Sequence, residues 1–439
     1  MHFSIITLAV LSMSVANVVA VTLTMPPPMP KAFPPDDESQ PIPASYLTDP
    51  LVTEALAYVE SVVPAQYLQI PPSTHKGICT ATYNADAAAN CYWPANLCTR
   101  DTDTNAFTAD VYQCPGQNTW GLTYDDGPIV NVVNGQHVND TVALRNALVN
   151  LNDQKATFFV VGSMGSSAPD EIKATFDAGH HIATHTWTHW TSTSLTNAQF
   201  VAEMKYTEAL IYKTTGQVPR FWRPPCGDID DRIRAIASAL GYRTVLWGTA
   251  PDRDSTDADV TPSAAAHQTV LKKIKSWFVP QAGFISLEHD ISTFTVGVAL
   301  AALSAIKDMG SSFPLKITDV GTCLNEPWYR DISGSTSSPI PNTSSVVSPP
   351  SSTPTSAPIS TASASSVAPS ASSTISASAS STGPISTNPS SITLSTTSST
   401  ASPTRQSESI SGSYPSVDVF RSFSWLWTMI AGAAVAVFV

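Results

Sequence analysis

The sequence predicts an α/β fold between about residues 114 and 330. Apolar runs of strand length alternate there with segments of helical periodicity. Reactive polar side chains also follow several of the predicted strands. Alternation over roughly 200 residues is typical of a parallel sheet, either open or closed into a barrel. In both arrangements, chemistry gathers at the carboxyl ends of the strands.

Apolar runs and helical periodicity place the individual elements. Strands are predicted at Trp120–Tyr124, Ala156–Val161, His181–Ala183, Phe221–Arg223, Thr244–Trp247 and Phe284–Leu287. Helices are predicted at Asn197–Thr214, Asp230–Leu240, Pro262–Trp277 and Thr295–Lys307. Residues 21–113 form a separate N-terminal region, proline-rich at its start and cysteine-containing, whose fold the pattern does not predict.

The first 20 residues predict a signal peptide. Ile5–Val15 is a short apolar run, and Val18-Val-Ala20 has the small residues that suit cleavage after Ala20. The alternative is a buried N-terminal strand, because no Lys or Arg precedes the apolar run. We expect a secreted protein.

The C-terminal quarter predicts a stalk and a lipid-attachment signal. Residues 332–404 contain no charged or aromatic side chain, which predicts a solvated Ser/Thr/Pro-rich stalk over 331–412. A GPI-attachment propeptide is predicted over 413–439, because the small residues Ser411, Gly412 and Ser413 are followed by a polar spacer and an apolar end. A membrane helix is the alternative, but the uncharged end has 17 residues where about 20 are needed. The expected location is the cell membrane, by a GPI lipid, and the cell wall.

Charge and cysteine content narrow the partners and the compartment. The formal net charge of −12 argues against nucleic acid as a partner. An even number of cysteines in a secreted chain predicts disulfides, with 15 possible pairings; a cysteine zinc site is the alternative. The six cysteines are Cys79, Cys91, Cys98, Cys114, Cys226 and Cys323. Asn139 and Asn342 begin N-glycosylation sequons.

Two adjacent carboxylates and two spaced imidazoles suggest metal-assisted hydrolysis. Asp125 and Asp126 end a predicted strand, where neighbouring side chains leave in different directions and can take different roles. His185 and His189 stand four residues apart, on one face if that segment is helical. Histidine and carboxylate together are an ordinary ligand set for a divalent metal. The alternative is a plain Asp-Asp-Gly-Pro turn beside structural histidines.

Several ordered motifs resemble those of the carbohydrate esterase family 4 polysaccharide deacetylases, which carry the NodB homology domain and include fungal chitin deacetylases. The resemblance covers about Cys114 to Cys323, a little under half of the chain. The motifs that carry it are Thr-Tyr-Asp125-Asp126-Gly, His185-Thr-Trp-Thr-His189, Arg223-Pro-Pro-Cys-Gly and Leu287-Glu-His289. The resemblance implies a distorted (β/α) barrel, often of seven strands.

The resemblance also implies a role for each motif residue. Asp125 would be the catalytic base, Arg223 its orienting partner and His289 the general acid. Asp126, His185 and His189 would bind a divalent metal, zinc or cobalt, and the Cys226 backbone would bind the oxyanion. The aromatic residue that follows the acid-tuning aspartate in this family is missing here, so the position is left to Asp252, to Asp254 or to neither of them.

The activity that this resemblance implies is hydrolysis of the N-acetyl groups of chitin to chitosan and acetate during cell wall remodelling. Two alternatives remain at this point. One is deacetylation of another glycan, acetylxylan or peptidoglycan, and the other is an inactive chitin-binding wall glycoprotein. The exposed-aromatic candidates for a sugar cleft are Trp187, Trp190 and Trp222.

Overall fold

A computed structural model describes residues 22–332. The predicted signal peptide lies outside these residues. So do nearly all of the stalk and the whole lipid-attachment segment, including Asn342, Ser411, Gly412 and Ser413. Those expectations therefore stay predictions.

Two parallel sheets form the centre of the fold. In chain order the strands are β1 Thr74–Gly77, β2 Thr80–Thr82, β3 Thr119–Gly121, β4 Thr123–Asp125, β5 Val132–Val133, β6 Gln136–His137, β7 Thr157–Val160, β8 His181–Thr184, β9 Val218–Pro219, β10 Phe221–Trp222, β11 Arg243–Thr244, β12 Phe284–Ile285, β13 Lys316–Thr318 and β14 Tyr329–Arg330. One parallel sheet has the strand order β11-β10-β8-β7-β4, and the other has the order β12-β3-β13. The short pairs β1-β2, β5-β6 and β9-β14 are antiparallel.

Leu122 joins the two sheets into a distorted barrel. Its backbone N–H donates to Thr318 of β13, and its carbonyl accepts from Thr157 of β7. The predicted strand Trp120–Tyr124 is therefore two strands, because the chain changes sheet at this residue. On the other side, the Gly248 N–H donates to the Ile285 carbonyl and links β12 to the chain after β11. All strands of both sheets point the same way, so their carboxyl ends share one end of the barrel.

Helices surround this barrel. They are α1 Pro50–Val62, α2 Ala65–Leu68, α3 Trp93–Asn96, α4 Thr141–Asn150, α5 Gly162–Ser167, α6 Pro169–Asp177, α7 Asn197–Thr215, α8 Asp231–Ala239, α9 Ala264–Lys275, α10 Thr293–Met309 and α11 Val320–Leu324, with 3₁₀ turns at Ala44–Tyr46, Ser192–Ser194, Pro225–Gly227 and Gly310–Ser312. The four predicted helices are confirmed within three residues at each end. Thr196 and Gln199 form a capping box that starts α7, and Gly216 ends it at a φ of 72°.

The N-terminal region, whose fold the sequence pattern did not predict, contributes the helix α1. Asp49 caps it by accepting from the Leu51 N–H at 2.9 Å, and Pro50 occupies the first turn. Leu51, Val52 and Val59 are buried on the face that packs against α7. These side chains belong to the same apolar core as the barrel residues.

One helical stretch within the described residues, Thr293–Ser312, has the length and composition of a membrane span. It contains α10, which packs against α4 and α9 and buries one face in the core. Val296, Ala299 and Leu303 line that face at helical spacing. This is the arrangement of a core helix.

All six cysteines form disulfides, which confirms the expectation from the sequence. The pairs are Cys79–Cys226, Cys91–Cys98 and Cys114–Cys323. Within residues 22–332 no cysteine thiol remains to bind zinc. The pair Cys114–Cys323 spans 209 residues and connects the chain before β3 to α11.

Replacing both Cys114 and Cys323 with serine should lower the free energy of unfolding by about 2–5 kcal/mol, because a long unfolded loop gains conformational freedom. Chemical denaturation followed by tryptophan fluorescence measures this loss. The matched control replaces Cys91 and Cys98, which close a loop of only 7 residues, and should cost less. An equal loss in both variants would contradict the explanation from loop length.

Candidate functional site

The barrel brings the predicted motif residues together at one end. Asp125 ends β4, His185 follows β8, Arg223 follows β10, and His289 lies four residues after β12. The Asp125 N–H donates to the Glu288 carbonyl, and the Asp290 N–H donates to the Asp125 carbonyl. These two bonds place His289 directly beside Asp125 on a neighbouring segment.

Asp125 is held by a buried arginine. Nη1 of Arg223 donates to Asp125 Oδ1 at 2.8 Å and to Thr123 Oγ1 at 2.7 Å, while Nη2 donates to the Leu246 carbonyl at 3.1 Å. Arg223 is fully buried, and its guanidinium lies 4.4 Å from the centre of the Phe159 ring. A buried charge of this kind needs an opposite charge beside it, so the carboxylate and the guanidinium fix each other in place.

Asp126 leaves the strand in a different direction from Asp125. Its φ is 78°, and its N–H donates to the Phe159 carbonyl at 3.1 Å. The turn requires Gly127, since a Cβ at that position would lie 2.3 Å from the Asp290 carboxylate. Asp290 accepts from the Gly127 N–H and from Thr141 Oγ1, and burial raises its pKa to about 7.

His185 and His189 meet through a loop, so the helical explanation of their spacing is wrong. The chain from Thr186 to His189 is not helical. Thr186 has a φ of 67° and His189 has a φ of 55°, both in the left-handed region. Glu203 on α7 holds the loop: its Oε2 accepts from the N–H groups of Trp187 and Thr188, both at 2.7 Å. Its Oε1 accepts from Thr188 Oγ1 at 2.7 Å. Sequence reasoning missed Glu203, which stands on a helix with no motif to mark it.

Asp126, His185 and His189 form a cluster suited to a metal ion. One ligand atom from each lies within 4.8 Å of the others. His185 Nδ1 is 2.8 Å from the Arg223 carbonyl oxygen, which can only accept, so Nδ1 carries a hydrogen and Nε2 is the ring nitrogen that faces the cluster. That Nε2 is 3.2 Å from Asp126 Oδ1, and so is Nε2 of His189.

The donor groups of this cluster suit a cation. Asp126 Oδ1 is buried and makes no regular hydrogen bond within residues 22–332. Burial alone would raise the pKa of Asp126, but the charge of His189 and the contacts from both imidazoles lower it well below its ordinary value. Burial also works against the charged form of His189, yet Asp126 raises the pKa of that imidazole. Two imidazoles and one carboxylate are a common ligand set for zinc, so these residues fit a divalent ion.

His289 is paired with Asp257, which corrects the expectation that Asp252 or Asp254 takes this position. His289 Nδ1 lies 2.6 Å from Asp257 Oδ1, and the His289 N–H donates to Asp257 Oδ2 at 3.0 Å. Asp252 instead faces Lys273 at 3.0 Å, and the Asp254 carboxylate accepts from the Thr256 N–H. Burial opposes the charged form of His289, but Asp257 outweighs it and raises the His289 pKa well above its ordinary value.

Cys226 lies at the rim of the site with its backbone in the left-handed region, at a φ of 56°. Its disulfide to Cys79 ties the β1-β2 hairpin to the turn after Arg223. The N-terminal region therefore reaches this rim through a covalent bond.

The three candidate cleft tryptophans occupy different places. Trp187 and Trp222 are fully buried in the core, so neither lines a sugar cleft. Trp190 is half-buried and stacks on His75, with 3.7 Å between ring centres. Burial was not visible in the sequence, because a core tryptophan and a cleft tryptophan follow the same local pattern.

The sequence and the fold were compared with those of known proteins. The sequence profile described as "Polysaccharide deacetylase" matches residues 112–245. Chitin deacetylase 1 of Cryptococcus neoformans var. grubii is 34% identical over 280 residues, 60% of this chain and 56% of that protein. The chitin deacetylase of Amylomyces rouxii is 37% identical over 263 residues, 57% of each chain. The solved chitin deacetylase of Colletotrichum lindemuthianum is 24% identical, covering 51% of this chain and 95% of that chain, with a TM-score of 0.43.

These sequence matches span a little over half the length of the two curated relatives. The range matched by the family profile contains five of the residues that the barrel gathers, namely Asp125, Asp126, His185, His189 and Arg223, while His289 follows that range. The motifs, the parallel barrel and the profile match agree with one another. Residues 112–245 of this chain therefore match the polysaccharide deacetylase family.

Proposed function

We propose that this protein is a metal-dependent deacetylase that hydrolyses the N-acetyl groups of chitin, giving chitosan and acetate. The observation that carries the proposal is a carboxylate and an imidazole on neighbouring segments beside the metal cluster. Asp125 is the carboxylate, held by Arg223, and His289 is the imidazole, whose pKa Asp257 raises. A base and an acid at one site are what amide hydrolysis requires.

Asp126, His185 and His189 would hold the metal, for which zinc and cobalt are the candidates. When bound, a divalent cation supplies Lewis-acid polarisation of the acetamide carbonyl and makes water a stronger acid. Asp125 then accepts the proton of the attacking water. Its other oxygen is fixed by Arg223, so the carboxylate keeps one orientation as it takes that proton.

His289 would give its proton to the sugar nitrogen as the carbon–nitrogen bond breaks. Without that proton the leaving group would be an amide anion, which is too basic to depart. Asp257 bonds to Nδ1, so Nε2 is the nitrogen available for this transfer. The backbone N–H of Cys226 would help to stabilise the negative oxygen of the tetrahedral intermediate.

The choice of chitin rests on the relatives. Proteins named chitin deacetylase, from Cryptococcus and Amylomyces, are 34% and 37% identical to this chain. We propose the same substrate here, acted on during remodelling of a cell wall. The alternatives are deacetylation of acetylxylan or peptidoglycan and a protein without activity. The assay below distinguishes them from deacetylation of chitin.

The location is also proposed from the sequence. A signal peptide over residues 1–20 and a GPI-attachment segment over 413–439 would place the enzyme at the cell membrane and in the wall, on a stalk over 331–412. The three disulfides fit an oxidising compartment. N-glycosylation at Asn139 fits the same route.

Replacing Asp125 with asparagine should lower acetate release from chitin oligomers by about 10²–10⁴-fold, because the amide cannot accept the proton of water. Acetate is measured enzymatically, and metal content is measured on the same samples by mass spectrometry. The variant should keep its metal, since Asp125 lies outside the ligand cluster.

The same assay is run with wild-type protein on chitin oligomers, acetylxylan and peptidoglycan. Acetate from chitin alone supports the proposal. Release only from another substrate would move the activity to that glycan. An absence of acetate from every substrate, with zinc or cobalt added back, would overturn the enzyme proposal.

Replacing His189 with alanine should remove most of the bound metal and nearly all activity, because one of three ligands is lost. Metal content and acetate release are measured together after dialysis with zinc. His137→Ala is the matched control, since this exposed histidine pairs with Asp140 outside the cluster. Equal metal content in the two variants would show that the metal binds elsewhere.

Replacing Asp257 with asparagine should move the alkaline limb of the kcat/KM profile to lower pH by about one to three pH units. His289 must be protonated to act, and activity falls as pH rises through its pKa, which Asp257 raises. The other titratable groups that act on His289 stay in place in this variant. They are Asp125, Asp126, His189, Asp254 and Glu288.

The matched control for this pH profile is Asp252→Asn, which changes an exposed aspartate that faces Lys273. Its alkaline limb should coincide with that of the wild type. If the alkaline limb moves equally in both variants, its position depends on the net charge of the protein and not on the contact between Asp257 and His289.

A further inference from the structure

A short segment of the N-terminal region lies against the loop that carries the metal cluster. We name residues 33–38 the N-terminal strap. The Phe33 ring stacks on Trp187, with 5.7 Å between ring centres and 7° between planes. The Trp187 Nε1–H donates to the Pro35 carbonyl at 3.1 Å. Because Trp187 stands between His185 and His189 in the chain, the strap is anchored to the middle of the loop.

Two carboxylates of the strap bind the helix α5. Asp36 Oδ2 accepts from Ser167 Oγ at 2.9 Å, and Glu38 Oε1 accepts from Ser163 Oγ at 2.7 Å. The Ser163 N–H in turn donates to the Trp187 carbonyl at 2.9 Å. Glu38 is therefore connected to the loop between the two histidines through a single serine.

Glu38 also lies close enough to the metal cluster for charges to act between them. The pKa of Glu38 is raised above its ordinary value, mainly by burial. The charge of His189 lowers this pKa and the charge of Asp126 raises it, so both of these cluster residues act on Glu38. Glu38 is half-buried, and its hydrogen bonds within the described residues involve Oε1 alone. Oε2 thus remains available to an incoming molecule beside the site.

We propose that Glu38 is a substrate-binding residue whose Oε2 accepts a hydrogen bond from a hydroxyl group of the acetylated glycan bound at the metal cluster. This inference rests on the proposed function, and it assigns part of the sugar site to the N-terminal region. Sugar hydroxyls are abundant donors, and a carboxylate is the strongest acceptor that a side chain offers them. The contact through Ser163 fixes the carboxylate beforehand, so less conformational freedom is lost on binding.

The test compares Glu38→Ala with Asp36→Ala in the full-length, zinc-loaded protein. Glu38→Ala should raise KM for the N-acetylglucosamine tetramer about tenfold and change kcat less than about twofold, because one charged hydrogen bond is lost. Asp36→Ala should leave both constants unchanged, although it removes an equivalent bond from the strap to α5. Glu38→Gln keeps an acceptor oxygen and should raise KM less than alanine does.

Metal content and melting temperature separate substrate binding from structural support. Both should match the wild type in Glu38→Ala. An unchanged KM, or a rise in KM equal to that of Asp36→Ala, would overturn the inference. So would a loss of metal in Glu38→Ala, since Glu38 would then support His189 rather than the sugar.

A calorimetric experiment keeps this test separate from the test of the proposed function. The tetramer is titrated into zinc-loaded Asp125→Asn protein, with and without Glu38→Ala. About tenfold weaker binding in the double variant supports the assignment of Glu38 even if the wild type releases no acetate. Equal binding in both, or no binding in either, contradicts it.

Discussion

Arg223 contacts both the candidate base Asp125 and the metal-cluster residue His185, and the geometry of the site depends on these two contacts. Its guanidinium is fully buried and binds Asp125, while its own carbonyl accepts from His185 and so sets which ring nitrogen faces Asp126. A buried guanidinium left without its carboxylate would cost about 3–5 kcal/mol, so the fold and the orientation of Asp125 are stabilised together. Arg223, at the carboxyl end of β10, thereby positions both the candidate base and the first histidine of the metal cluster.

Around this contact, opposite charges divide the site into two chemical environments. Near Asp126, the two imidazoles stabilise negative charge on the carboxylate, and the three groups together are a ligand set suited to a divalent cation. Near His289, the Asp257 carboxylate stabilises the imidazolium and keeps a proton available at high pH. Groups whose pKa values are moved in opposite directions can act as ligand and acid in the same small volume. Burial makes both effects strong, because little water screens these charges.

The N-terminal region completes this arrangement from two directions. Cys79 reaches Cys226 after the Arg223-Pro-Pro turn, and the N-terminal strap lies against Trp187 between the metal-cluster histidines. The helix α1 anchors the region by packing into the core of the barrel. A segment with little regular structure thus has fixed contacts at the rim, where it can contribute to binding.

The sequence by itself determined the α/β class, the strand ends that carry Asp125, Asp126 and Arg223, and the presence of disulfides, because these follow from local periodicity and residue type. Only the tertiary structure decided which cysteines pair, that Asp257 partners His289 from 32 residues away, and that Glu203 holds the histidine loop from α7. It also divided Trp120–Tyr124 between two sheets. Contacts of this kind join segments that are far apart in the sequence, so no local sequence pattern predicts them. They depend on how the barrel closes, and on the requirement that a buried polar group has a hydrogen-bond partner.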